Sequence, residues 1–278
     1  MSVNFGKRAE VYMIDDEVTG RVVCEFPLLS ARLYKIPRTK LKESKEIKEL
    51  QTPGVYILTG EQDGKDCIYV GQSIDVYKRL VQHLNPNEDY WNECLAYIST
   101  SNKFDKAIIG YLENTLYNRA KDAKRYIVNQ VEPTKDTISL NGEDTAIGFI
   151  EGFTKLSGVI GYKIFNKIVD DSIDDNNTFY INTKSATSKA KLTDEGLVVL
   201  EGSTISNDVS NSLRNEVKIL REKLLNDGVL DENNTFKNDY IFKSPSAAAS
   251  FILGSQVNGW NYWKDKNGKT LNEVYRET

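Results

Sequence analysis

The chain has 278 residues, of which 40% are hydrophobic and 27% charged, with a formal net charge of −4 and three cysteines. That length sets two domains with a substantial core as the expectation, and the composition excludes a disordered or low-complexity chain. No apolar run nears the ~18–20 residues that span a bilayer, MSVNFGKRAEVYMIDDEV lacks the apolar block of a secretory signal, and Cys24, Cys67 and Cys94 stand far apart without a CxxC pair. This spacing excludes a zinc knuckle and argues against a disulfide framework, so a reducing cytoplasm is the expected compartment.

Residues 8–26 read as two short strands, RAEVYMI and GRVVCEF, around the turn chemistry of DDEVTG. A helix is expected from Thr39 to Leu50, and Pro53-Gly54 punctuates the next unit. GVYIL (54–58) and CIYVG (67–71) are β-rich runs separated by TGEQDGKD, a hairpin with Asp63-Gly64 as its turn signal. Ser73 then caps a helix, IDVYKRLVQHL, with Ile74, Tyr77, Val81 and Leu84 on one side. LAYIST (95–100) is a third strand and Lys103–Tyr126 a long helix. Residues 144–166 form another helix, bent at Gly158 or Gly161.

After the acidic linker DDSIDDNN (170–177), TFYIN and GLVVLEGS read as strands, SNSLRNEVKILREKLLNDG as a helix ended by Gly228, and TFKNDYIF as strand-like. SPSAAASFILG carries its own punctuation: Ser244 as cap, Pro245 at the first position, Gly254 at the end. The expected class is α+β. A small mixed sheet flanked by helices (51–135) follows an N-terminal hairpin and helix (1–50). A helical connector with the linker (136–175) leads to a second α+β domain (176–278).

Charge alone does not assign a partner. Residues 1–50 carry ten basic against eight acidic side chains, and 51–150 carry ten against fourteen. Basic runs at Arg32–Lys48, Arg119–Arg125 and Lys184–Lys191 are more often solvated faces than phosphate tracks.

Side chains on a strand alternate with period two. Tyr56 and Tyr69 therefore share a face, and symmetric closure of the loop sets them opposite each other. Val55, Ile57, Ile68 and Val70 share the other face, toward the core. Cross-strand tyrosines are ordinary in β-proteins. Arg79 and His83 lie at i, i+4 on the side of their helix away from its apolar stripe; a lone histidine is ordinarily structural. On the long helix the stripe is Phe104, Ile108, Tyr111 and Thr115. Glu113 lies opposite, framed by Ile109, Leu116 and Tyr117 with no basic i, i+4 partner, the setting of an acid aimed into a cleft.

Gly54-Val55-Tyr56, Tyr69-Val70-Gly71, Arg79, His83 and Glu113, in that order, resemble the GIY-YIG nuclease superfamily. Valines 55 and 70 stand where the family usually has isoleucine, and Asn129 best matches the family's asparagine. The flanking segments are similar to a bacterial subgroup in which the nuclease core precedes a domain of unassigned function.

The resemblance implies a phosphodiester hydrolase acting on nucleic acid, DNA favoured over RNA, with one Mg²⁺ (or Mn²⁺) per site held mainly by Glu113. Arg79 would stabilise the phosphoryl group and Tyr56 would act as general base. Tyr69 and His83 would position water and phosphate, with His83 able to share the base role, and Asn129 would fix phosphate or metal-bound water. Lys78, Lys121, Lys124 and Arg125 border the expected cleft as backbone contacts. No membrane partner is expected, and monomer and homodimer both stay open. The alternatives are a catalytically inactive nucleic-acid-binding module and a regulatory interaction protein, each retaining the fold. In the second domain, Lys184, Lys189, Lys191, Trp260, Tyr262 and Trp263 fit either a nucleic-acid-binding surface or, for the tryptophans, core anchors.

Overall fold

The chain divides into two units, Met1–Lys167 and Ile168–Thr278, and the computed structural model describes residues 7–128, 130–169 and 177–277. The class is α+β. In the first unit seven strands form one sheet: β1 (Glu10–Met13), β2 (Val22–Glu25), β3 (Ala31–Pro37), β4 (Gly54–Gln62), β5 (Lys65–Ser73), β6 (Trp91–Ser99) and β7 (Ile127–Val128). The order is β1-β2-β3-β6-β4-β5-β7, antiparallel except for the parallel β5–β7 pair.

The expected small sheet beside a separate hairpin is thus one larger sheet. The joining strand β3 falls within the first basic run. Its charges have partners: Arg32 meets Glu25 at 2.6 Å and Glu49 at 3.0 Å.

The helix expected over Thr39–Leu50 is replaced by three short 3₁₀ turns, Arg38–Lys40, Glu43–Glu46 and Lys48–Gln51. Leu41, Ser44 and Leu50 are fully buried, with Ile47 packed beside them. Spacing in threes suits a 3₁₀ turn, whose side chains eclipse at i, i+3, and drifts off one face of an α-helix.

The hairpin turn is tighter than the expected eight-residue loop. Asp63 (φ 53°) and Gly64 (φ 73°) form a two-residue turn, the geometry that matches strand twist. Leu58 therefore faces Tyr69 and Tyr56 faces Gly71, correcting the expected Tyr56–Tyr69 pair by two residues. A shift of two preserves the face, so the tyrosines remain diagonal neighbours with ring centroids 6.3 Å apart.

Both faces of this sheet are covered. Val55, Ile57, Ile68, Val70, Leu95 and Tyr97 pack against helices α2 (Lys106–Ala123) and α3 (Leu140–Val159). The expected connector therefore belongs in large part to the first unit's core, and α3 starts at its Ser139 cap, runs through Gly158 and stops before Gly161. The other face, expected to lie open, is a second core: Tyr34, Ile36, Tyr56, Leu58, Cys94 and Ala96 under Leu41, Leu50 and helix α1 (Val76–Gln82).

Helix α1 is rotated from its expected orientation. Asp75, not Ser73, accepts the capping N–H from Lys78. Ile74 is 67% exposed, while Val76, Leu80 and His83 are buried. Helix α2 turns likewise: Ile109, Leu112, Leu116, Ala120 and Ala123 form the buried stripe. Glu113 borders that stripe instead of lying opposite it.

The second unit holds a four-stranded antiparallel sheet in the order β11-β10-β9-β8. Its elements are β8 (Thr178–Asn182), β9 (Thr187–Thr193), β10 (Gly196–Val199), α4 (Asn215–Asn226), β11 (Tyr240–Phe242), α5 (Pro245–Leu253), α6 (Gly259–Tyr262) and α7 (Leu271–Tyr275). Strand β9 coincides with the third basic run, where Ser188 and Ala190 alternate inward between exposed neighbours. Helix α5 keeps the expected Ser244 cap and Gly254 terminator. Residues 170–176, most of the acidic linker, lie outside the described residues. Among the described residues no helix is long and apolar enough to cross a membrane.

Gly71 is spatially required: a Cβ there would sit 2.4 Å from Cζ of Tyr56. Gly71→Ala is expected to destabilise the first unit by about 1–3 kcal/mol, lowering its melting temperature by about 3–8 °C in a circular-dichroism melt. An unchanged melt would show that the Tyr56 ring is not packed there.

Candidate functional site

Tyr56 is buried, 1% exposed, and its hydroxyl has two partners. Nε2 of His83 lies at 2.9 Å, and Nε of Arg79 donates to the phenol oxygen at 3.3 Å. On the other side of the imidazole, Nδ1 of His83 bonds the Glu88 carboxylate, whose second oxygen accepts from Asn85 at 2.8 Å. A carboxylate at Nδ1 holds the hydrogen there, leaving Nε2 to accept the Tyr56 hydrogen. Burial pushes the Tyr56 phenol above its ordinary value and Tyr69 adds to the push, while Arg79 opposes it. Burial also pushes Glu88 up, but the hydrogen bonds from His83 and Asn85 outweigh it and leave the carboxyl below its usual range.

The Arg79 guanidinium also interacts with the Tyr69 hydroxyl, so its charge bears on both phenols. Tyr69 reaches a cavity. It lines an open groove of about 480 Å³ together with Gln72, Gly110, Glu113, Gln130 and Asp136. Glu113 is half-buried. Burial pushes its carboxyl up to about 7, helped by Asp136 and opposed by Arg79 and by the main-chain N–H of Gln72.

Asp136 comes from the loop after β7. Asn114 donates to the carbonyl of Pro133 at 2.7 Å and Asn118 to Glu132 at 3.1 Å, tying that loop to α2. Gln130 Oε1 accepts the Val70 amide at 2.6 Å, where the short β7 has run out. The loop can lie this close because residue 110 is glycine: a Cβ there would come within 1.8 Å of the Asp136 carboxylate.

The structure thus gathers Tyr56, Tyr69, Arg79 and His83, and brings Glu113 into electrostatic range of Tyr56 and Arg79. It contradicts the expected exposure of the tyrosine face. Asn129 lies outside the described residues. Lys78 is exposed on α1. Lys121 and Lys124 are exposed but sit roughly 12 and 16 Å beyond Glu113 along the helix axis at 1.5 Å per residue, away from the groove lining. Arg125 is engaged with the carbonyls of Asn166 and Lys167.

Glu88, Asp136 and Gln72 went unnoticed in the sequence. Glu88 does lie five residues after the lone histidine in a Pro-Asn-rich turn, a weak signal. Asp136 had none, because its place depends on how a loop folds back over Gly110.

Residues 179–275 match a domain of unknown function, DUF4357, a stretch confined to the second unit. No curated protein and no solved structure matches the chain.

Proposed function

We propose that the first unit is a divalent-metal-dependent endonuclease of the GIY-YIG type, hydrolysing phosphodiester bonds, with DNA the favoured substrate. The observation that carries this reading is the contiguity of Tyr56, hydrogen-bonded to Arg79 and His83, with Tyr69 and Glu113, which line an open polar groove. The first and last of these residues, Tyr56 and Glu113, lie 57 positions apart in the sequence.

The donor set fits a hard cation that keeps most of its waters. Two carboxylates, Glu113 and Asp136, share a groove open to solvent, and no group of three or more His, Cys, Asp or Glu occurs among the described residues. Glu113 and Asp136 would hold Mg²⁺ or Mn²⁺, which would supply charge stabilisation at the phosphate and the leaving oxygen.

The protein's own residues account for the remaining steps. Arg79 offers a planar fork to the non-bridging oxygens as their charge grows. Water attacks phosphorus and its proton passes to a phenol. Tyr56 takes this role through a relay: as its oxygen gains the proton of water, its own proton moves along the existing hydrogen bond to His83 Nε2. The Glu88 carboxylate then faces an imidazolium. The relay answers the difficulty that a buried phenol is a poor proton acceptor on its own. Exposure favours a second assignment, Tyr69, as the phenol that meets water at the groove wall.

Supercoiled plasmid with Mg²⁺ or Mn²⁺ tests the reading. Nicking is expected, and a chelator should abolish it. Tyr56→Phe and Glu113→Gln should each lower the rate at least about 10²-fold. Wild-type rates in both variants would reject the assignment, and a larger loss in Tyr69→Phe than in Tyr56→Phe would move the base to Tyr69.

The rate should rise on the alkaline side. Glu88→Gln removes the charge that favours imidazolium, so kcat should fall about tenfold, and with that negative charge gone the rising limb should move to lower pH. A purely structural Glu88 would leave the position of that limb unchanged.

Glu113 also sets a pH dependence of stability. With its folded value at about 7, the folded chain holds a proton that the unfolded chain releases above its ordinary value of about 4.5. Stability therefore falls as pH rises between these values. Solvent in the groove screens part of the effect, leaving about 1 kcal/mol. In chelator, Glu113→Gln should melt about 3 °C above wild type at pH 8 and level with it at pH 4.

A further inference from the structure

The second unit carries a groove of about 650 Å³ that plays no part in the proposed reaction. It opens where a sheet edge comes apart. β8 is the edge strand, and Tyr180 exchanges both main-chain hydrogen bonds with Lys264, at 2.7 and 3.0 Å. Two residues further along β8, the antiparallel partner of Asn182 would be Tyr262. Tyr262 instead ends α6, and the chain leaves the edge. Asn182 and Thr183 form one wall, Asn261 and Tyr262 the other. By the alternation of an antiparallel ladder, the main-chain groups of Asn182 point to this same edge.

The walls combine rings and positive charge. Tyr262 is 44% exposed, an ordinary degree for a lone surface tyrosine, but it shares the groove's lining with a second tyrosine, half-buried Tyr180. Lys264 and Lys266 line the groove. Lys189 faces Tyr180 across β8 and β9, so both project from the same side of the sheet, and Lys184 stands in the adjoining turn. The one carboxylate in the lining, Asp265, is turned into its own loop, accepting the amides of Asn267 at 2.8 Å and Lys269 at 2.9 Å. The tryptophans are not part of this surface. Trp263 is fully buried with Nε1 on the Pro245 carbonyl at 3.1 Å, and the Arg276 guanidinium covers Trp260 at 3.6 Å.

We propose that this groove binds a single strand of nucleic acid, with Tyr180 and Tyr262 stacking bases and Lys189, Lys264 and Lys266 tracking phosphates. Two accessible ring faces between cations match a chain that alternates planar bases with anionic links. A duplex keeps its bases stacked inside and would leave the rings without partners. An acidic peptide would satisfy the lysines but not the rings. The proposal does not depend on the first unit being a nuclease.

Fluorescence anisotropy tests it on the full chain in chelator, so that binding is measured without cleavage. The probe is a labelled oligothymidylate of about 20 nucleotides, longer than the roughly 4–16 that such a site covers. Wild type should bind it more tightly than a duplex of equal length. Tyr262→Ala should weaken binding at least about fivefold, and Tyr262→Phe should retain it. The Lys264→Gln, Lys266→Gln double variant should lower the slope of log affinity against log salt by about 1.4. All variants should keep wild-type melts, since these side chains are at the surface. Wild-type affinity in Tyr262→Ala, stronger duplex binding, no binding at all, or displacement by poly-glutamate at equal charge would overturn the proposal. A chain that binds the strand yet never nicks plasmid in Mg²⁺ would reject only the reading of the first unit.

Discussion

A phenol taken out of water must find partners for both its hydrogen and its oxygen, and much of the first unit answers that demand at Tyr56. His83 accepts the hydrogen and Arg79 supplies a donor. Glu88 sets the imidazole's orientation, and Asn85 in turn steadies Glu88. Gly71 leaves the ring its volume. The demand also accounts for the rotation of α1. Facing Ile74 and Val81 inward would have carried Arg79 and His83 into solvent and left the phenol unpartnered, a cost greater than exposing two aliphatic side chains.

Local chemistry was the legible part of the sequence. The Asp63-Gly64 turn, the Ser244-Pro245 start and Gly254 end of α5, and the face shared by Val55, Ile57, Ile68 and Val70 are all settled by neighbours within a few positions. Parity survived even where register did not. The two-residue turn moved the facing partner of Tyr69 from Tyr56 to Leu58, yet both tyrosines stayed on one side.

What depended on the tertiary surroundings was not legible. Leu41, Ser44, Ile47 and Leu50 repeat in threes, a period easily mistaken for a helix in a charged segment. β3 and β9 lie within basic runs, where the charges mask the alternation of buried positions. The second covered face of the sheet was missed because a strand buried on both sides has no exposed residues to betray a cover. At the site, side chains on regular elements were placed on the right element, whereas the loop residues Glu88 and Asp136 depend on contacts with other segments. Lys121 and Lys124 stand farther from Glu113 than their place in the sequence suggests, because closeness along a helix in sequence is still distance along its axis.

The ties that anchor the Asp136 loop run chiefly to α2, through Asn114 and Asn118. Both acids of the groove are therefore carried by one helix, while Arg79 and the phenols ride on the hairpin and α1. A charged guest lodged among them would add a polar brace to the apolar packing that already joins these supports, so the stiffness of the whole cleft would depend on its occupancy.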